Sequence, residues 1–266
     1  MVDGTGSMRG ILEHLKAVVK IAMTETLARL KEEFTEGIKG FELQLLVYRN
    51  YDFGDLAIEP SEFVEDSSEL DGFLKSIKPK TRDWLLKAFG FVPAKRPKNI
   101  KSHNEAIEVA LAHANKQHEE WPISQIIIVG DATSNTPTET DALRAHNEAN
   151  KVKFTDAAVY FPEQRDRLIA NGVTIHTVFT PTKKLTHCKA EDFHAMASED
   201  GSNVSYQARK KGETISETDI EQLGKDLARI ISDHIENSAV TGAGVGNQDK
   251  IKYLESNPNT GLAQDM

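Results

Sequence analysis

The chain is short of cysteine, of positive charge and of long apolar runs, and each shortage closes off a class of protein. Cys188 is the only cysteine, which excludes an intramolecular disulfide framework and a Cys-rich zinc site. No run approaches the ~18 apolar residues that a membrane span needs, so no span is expected. Lys and Arg number 32 against 41 Asp and Glu, a formal charge of -9, which argues against a general nucleic-acid-binding surface. Met1-Val2-Asp3-Gly4 has neither the basic nor the apolar region of a secretory leader, and a cytoplasmic location is the resulting expectation. Against these shortages, 39% of the 266 residues are hydrophobic and 27% charged. That suffices for one large core or two modest ones.

Periodicity organises most of the chain. Leu12, Leu15, Val19, Ala22, Thr26 and Leu30 recur at three- and four-residue steps, which predicts a helix ending near Gly37 and Gly40. Phe41 to Tyr48 reads as a strand and Ser61 to Glu65 as a short one. Ser67 reads as the cap of a helix carrying Leu70, Phe73, Leu74 and Ile77 on one face. Residues 78–101 form a basic, Pro-punctuated, irregular insertion, with a helical turn at Trp84 to Phe89. Ser102 to Glu119 reads as a strong helix. Ile126-Ile127-Ile128-Val129-Gly130 is the continuous apolar run of a central parallel strand, buried on both faces.

Helices near 137–151 and 156–171 follow, then a strand at Val173 to Phe179, a short helix near 190–198, a strand at Asn203 to Tyr206 and a last helix at 216–236. Residues 238–266 are small, polar and Gly-rich and are expected to be disordered. Strands alternating with helices over residues 1–237 predict one α/β domain: a Rossmann-like, doubly wound, mostly parallel sheet flanked by helices.

Open α/β sheets bind ligands beyond the carboxyl ends of their strands, and oxygen-bearing residues stand at three such places. Asp3-Gly4-Thr5-Gly6-Ser7 offers one carboxylate and two hydroxyls at alternate positions of a turn. Asp131 directly follows the buried strand 126–130. Ser102 opens the helix leading into that strand. Hard oxygens of this kind suit Mg²⁺ or Mn²⁺, and Mg²⁺ keeps several waters and takes few protein ligands. Each feature also has a plain structural reading. The 3–8 turn can serve as a Gly-rich helix cap, Asp131 as a strand-end turn acid and Ser102 as an N-cap. The histidines show no metal-ligand spacing, and Cys188 has no evident nucleophile dyad.

Asp3-x-Thr5-x-Ser7 resembles the Asp-x-Ser/Thr-x-Ser motif of von Willebrand factor type A domains, with Gly6 and Met8 matching a common variant. Tyr48-Arg49-Asn50-Tyr51-Asp52 is similar to a Tyr-Arg-Asp segment after the second strand of that subgroup. Ser102 to Ala106 takes the place of the family's middle motif, and Gly130-Asp131-Ala132 that of its last aspartate. The resemblance covers roughly residues 1–236. It implies a metal-ion-dependent adhesion site with Asp3, Thr5, Ser7, Ser102 and Asp131 as direct or water-mediated ligands of Mg²⁺ or Mn²⁺. It also implies a protein partner captured through an acidic side chain, and no catalysis.

Two departures stand out. Only Met1-Val2 precede the motif aspartate, so the first strand reads as truncated, and a basic stretch from Lys95 to Lys101 replaces a Gly-rich middle motif. The alternative reading is a haloacid dehalogenase-like phosphatase using Asp3-Gly4-Thr5, but its nucleophilic aspartate would fall at Met1. An actin-like ATPase loop would be followed by a β-hairpin, whereas Arg9 to Glu33 reads as helical.

Overall fold

Each strand of the central sheet sends alternate side chains to opposite faces, and both faces are apolar. That arrangement obliges helices to cover both. The structure is a computed structural model describing residues 1–33, 41–77, 100, 103–149, 158–181, 188–205 and 216–241. Its elements are β1 (Val2–Asp3), α1 (Arg9–Glu33), β2 (Leu46–Tyr48), β3 (Ile58–Pro60), α2 (Asp71–Ser76), α3 (Ile107–Glu120), β4 (Gln125–Gly130), α4 (Pro137–Ala149), α5 (Phe161–Ala170), β5 (Thr174–Phe179), α6 (Ala190–His194), β6 (Asn203–Ser205) and α7 (Glu217–Thr241). The six-stranded sheet runs β3-β2-β1-β4-β5-β6, parallel except for β3, which is antiparallel to β2. This is the expected α/β architecture, a mostly parallel sheet flanked by helices. Among the described residues no helix is long and apolar enough to cross a membrane.

Val47, Val129 and Val178 point to one face, where they meet Leu12, Leu15 and Val19 of α1 and Leu223 and Ile230 of α7. Leu46, Ile128 and Ile175 point to the other, against Ile107 and Leu111 of α3 and Leu168 of α5. The first strand is two residues long, and Val2 is paired on both sides. Val2 pairs with Val47 on one side and Val129 on the other, and the Val129 amide donates to the Met1 carbonyl at 2.9 Å.

Several boundaries differ from expectation for identifiable reasons. The edge strand is Ile58–Pro60 rather than 61–65, and Val64 only bridges Leu43. Asp66, not Ser67, caps the turn before α2, accepting from the Ser68 amide at 2.7 Å. α3 starts at Ile107, because the Glu105 amide donates to the Thr133 carbonyl and the Glu105 carbonyl accepts from the Asn135 amide, which keeps the preceding segment extended. α7 continues to Thr241, past the expected 236. The expected helical turn at 84–89, most of the 78–101 insertion and the 242–266 part of the tail lie outside the described residues.

A buried histidine on β5 sets an acid limit to this core. His176 is 3% exposed, and its Nδ1 accepts from the Ser202 amide at 2.8 Å. Its ring meets His234 of α7 edge-on at 5.6 Å. Burial, and then the neighbouring His234, push the His176 imidazole down to about 4, against a weaker opposite pull from Asp200. The unfolded imidazole titrates near ~6.5. The unfolded state therefore takes up the proton first, and stability is lost as pH falls from about 6.5 to about 4. His176→Asn keeps an acceptor for Ser202 and removes the titration. Urea unfolding across that window should show a shallower acid loss in the variant, by up to about 3 kcal/mol. An unchanged slope would reject this assignment.

Candidate metal centre at the strand ends

The turn after β1 is positioned by its own backbone and by the strands beside it. The Gly4 amide donates to the Tyr48 carbonyl at 2.8 Å, and the Gly4 carbonyl accepts from Arg49 Nε at 3.2 Å. A Cβ at Gly4 would stand 2.4 Å from Val47 Cγ1 and 2.9 Å from Arg49 Nε, so only glycine lets the turn come this close. A short 3-10 turn, Gly6–Met8, then leads into α1. Met8 is buried, and the Thr180 hydroxyl donates to its sulfur at 3.1 Å, tying the turn to the end of β5.

Four of the five sequence-predicted residues come together here. The Thr5 amide donates to Asp3 Oδ1 at 2.7 Å, and Thr5 Oγ1 and Ser7 Oγ share a hydrogen bond of 2.9 Å. The Ser7 hydroxyl in turn donates to Asp131 Oδ1 at 3.3 Å. A hydrogen-bonded chain thus runs from the end of β1 to the end of β4, through the Thr5 amide and the Thr5 and Ser7 hydroxyls. The fifth residue, Ser102, lies outside the described residues.

Desolvation decides the electrostatics. Asp3 is 0% exposed and Asp131 1%. Burial, and then the charge of Asp131, hold the Asp3 carboxyl well above the usual carboxylate range, against the pull of the Thr5 hydrogen bonds. Asp3 Oδ2 has no hydrogen-bond donor among the described residues. A buried carboxylate oxygen without a donor is costly, and a divalent cation is one group able to satisfy it. Among the described residues no three His, Cys, Asp or Glu side chains gather as a metal-binding group. The available donors are therefore a carboxylate pair with hydroxyls, a set that fits a hard cation retaining much of its water.

Three side chains around this hydrogen-bonded chain were not assigned a role from sequence. Arg49 is wholly buried; besides Gly4 it reaches the Leu56 carbonyl at 2.8 Å and forms an ion pair with Glu59. Glu105, 5% exposed, lies between the loops after β2 and β4. The Ala106 amide donates to the Arg49 carbonyl, and the Glu105 amide to Thr133. Tyr48 is the third: its hydroxyl donates to the Val129 carbonyl at 3.2 Å, and burial, then the charges of Asp3, Glu105 and Asp131, raise its pKa well above the ordinary phenol value. Cys188 lies near Asp131 as well. Burial pushes its thiol up to about 11, so it is protonated at neutral pH.

Close packing of Tyr48 against Gly130 yields a test of the strand-end geometry. A Cβ at Gly130 would stand 2.5 Å from the Tyr48 hydroxyl oxygen and 3.4 Å from Asp3 Cβ. The Tyr48 ring is fully buried and cannot swing away. Gly130→Ala should lower stability by ~1–3 kcal/mol through overpacking. Adding Tyr48→Phe, which deletes the clashing oxygen, should recover more than half of that loss in denaturant unfolding. Strict additivity of the two substitutions would show that the contact is not the cause.

Compared with known proteins, the chain matches no family model and no curated relative.

Proposed function

We propose that the chain is a von Willebrand factor type A-like binding module that holds Mg²⁺ or Mn²⁺ through Asp3, Thr5, Ser7 and Asp131, with Ser102 as a further ligand, and catalyses nothing itself. One observation carries the reading. Thr5 and Ser7 bridge two buried carboxylates at the ends of adjacent central strands, while Asp3 Oδ2 has no donor among the described residues. The sheet order, with its single antiparallel edge strand, supports the same reading.

A bound cation would supply a hard Lewis-acidic centre with an open position for an incoming carboxylate. The chain's own residues do the rest. Asp3 and Asp131 bring two negative charges, which partly neutralise a divalent ion. Thr5, Ser7 and Ser102 add donors without adding charge. The Thr5 amide and the Ser7 hydroxyl fix one oxygen of each carboxylate. The partner is accordingly a protein presenting an acidic side chain.

Calorimetry on EDTA-stripped protein should show one site for Mg²⁺ or Mn²⁺, weakened about tenfold or more by Asp131→Ala. Partner capture from a native lysate should require the divalent ion and be lost in Asp3→Ala. Equal metal binding by Asp131→Ala, or recovery of the same partners in EDTA, would overturn the reading.

A further inference from the structure

A further buried carboxylate lies behind the strand ends, and nothing in the proposed metal set accounts for it. Glu108, in the first turn of α3, is 0% exposed. It accepts from the Ser134 hydroxyl at 2.6 Å, from Asn135 Nδ2 at 3.0 Å and from the Thr140 hydroxyl at 3.4 Å, and the Tyr51 phenol lies against it. Burial raises the Glu108 carboxyl above the usual carboxylate range, against the pull of the Ser134 and Asn135 hydrogen bonds. The donors come from three places: the loop after β4, α4, and the loop after β2.

The network continues from there. Asn135 Nδ2 also donates to Asn50 Oδ1 at 3.2 Å, and Asn50 Nδ2 donates to the Asn104 carbonyl. Asn104 Oδ1 accepts from the Thr133 hydroxyl at 3.0 Å. Ser134 and Asn135 are three and four residues past Asp131, and Asn50 is two past Tyr48, so a single buried acid joins the two loops that flank the end of β1.

We infer that Glu108 is the positioning residue of the strand-end site: by holding Ser134, Asn135 and Tyr51 together it sets Asp131 at the distance from Asp3 at which the two can share a cation. The metal part of this statement rests on the function proposed above; the positioning part does not. The number of acceptor atoms is central. The two oxygens of Glu108 take donors from Ser134, Asn135 and Thr140, whereas an amide in the same place offers one acceptor oxygen and turns its own N–H groups toward those donors. Glu108→Gln should therefore loosen both loops while nearly conserving volume.

The experiment pairs two readouts on the full chain. Hydrogen exchange on metal-free protein reads positioning, and calorimetry with Mg²⁺ reads its consequence. Glu108→Gln should speed exchange at 131–136 and 49–51 by about tenfold or more, and weaken Mg²⁺ binding about tenfold or more. Ser134→Ala, which removes the shortest donor, should move both in the same direction by less. Leu168→Ala, a core deletion in α5 just before β5, should lower the thermal midpoint without changing exchange in those two segments or Mg²⁺ affinity.

Wild-type exchange in Glu108→Gln overturns the inference, as does a Leu168→Ala variant that weakens Mg²⁺ as much. If Glu108→Gln does not fold, Ser134→Ala decides, and unchanged exchange at 49–51 in that variant overturns it. If the wild-type chain takes up no Mg²⁺, the metal reading fails while the exchange data still decide whether Glu108 positions the loops.

Discussion

The two residues of β1 lie between β2 and β4, and the strand-end chemistry depends on how they are held. Val2 pairs with both neighbours, Asp3 pairs with Tyr48, and the Gly4 amide closes on the Tyr48 carbonyl. That backbone pairing sets Asp3 one strand away from Asp131. Two carboxylates on adjacent parallel strands, both shielded from water, repel each other in a medium that screens weakly. The fold answers with donors: the Thr5 amide on Asp3 and the Ser7 hydroxyl on Asp131. One oxygen of Asp3 is left without a donor among the described residues.

Further charges are buried around the turn: Arg49, which reaches the Gly4 carbonyl, and Glu105, both removed from solvent. Burial lowers the affinity of the Arg49 guanidinium for its proton, while Glu59 and then Asp3 and Glu105 act to retain it. The charge of Arg49 is therefore shared between the edge strand and the turn. A guanidinium in this position ties β3, the loop at Leu56 and the Gly4 carbonyl into one unit.

Much of this was legible in the sequence. The apolar run at 126–130 announced a central strand, and the regular steps in α1 and α7 announced the helices of one face. The oxygens of Asp3, Thr5, Ser7 and Asp131 were readable because they follow strands directly. Other features depended on contacts distant in sequence. Ser102 to Ala106 carries residues compatible with a helix, but Glu105 pairs its backbone with the loop at 133–135, and no local signal reports that. Ser61 to Glu65 has the alternation of a strand, but the regular ladder with β2 runs over Ile58–Pro60, and in backbone pairing 61–65 keeps only the Ser61–Leu45 hydrogen bond and the Leu43–Val64 bridge. Arg49 stood out only as part of the Tyr48 to Asp52 segment, and neither its burial nor that of Glu108 was readable, because charged side chains ordinarily face water. The available signal was positional: Glu108 stands between Ile107 and Val109, both of which are buried.

Strand β3 has a further consequence. It is three residues long, it ends in Pro60, and its central residue Glu59 turns a charge toward the interior. Short length, a residue lacking an amide hydrogen and an inward charge are each devices that spoil a sheet edge as a template for another strand. Lengthening of the sheet by a foreign β-strand is thus discouraged on this side.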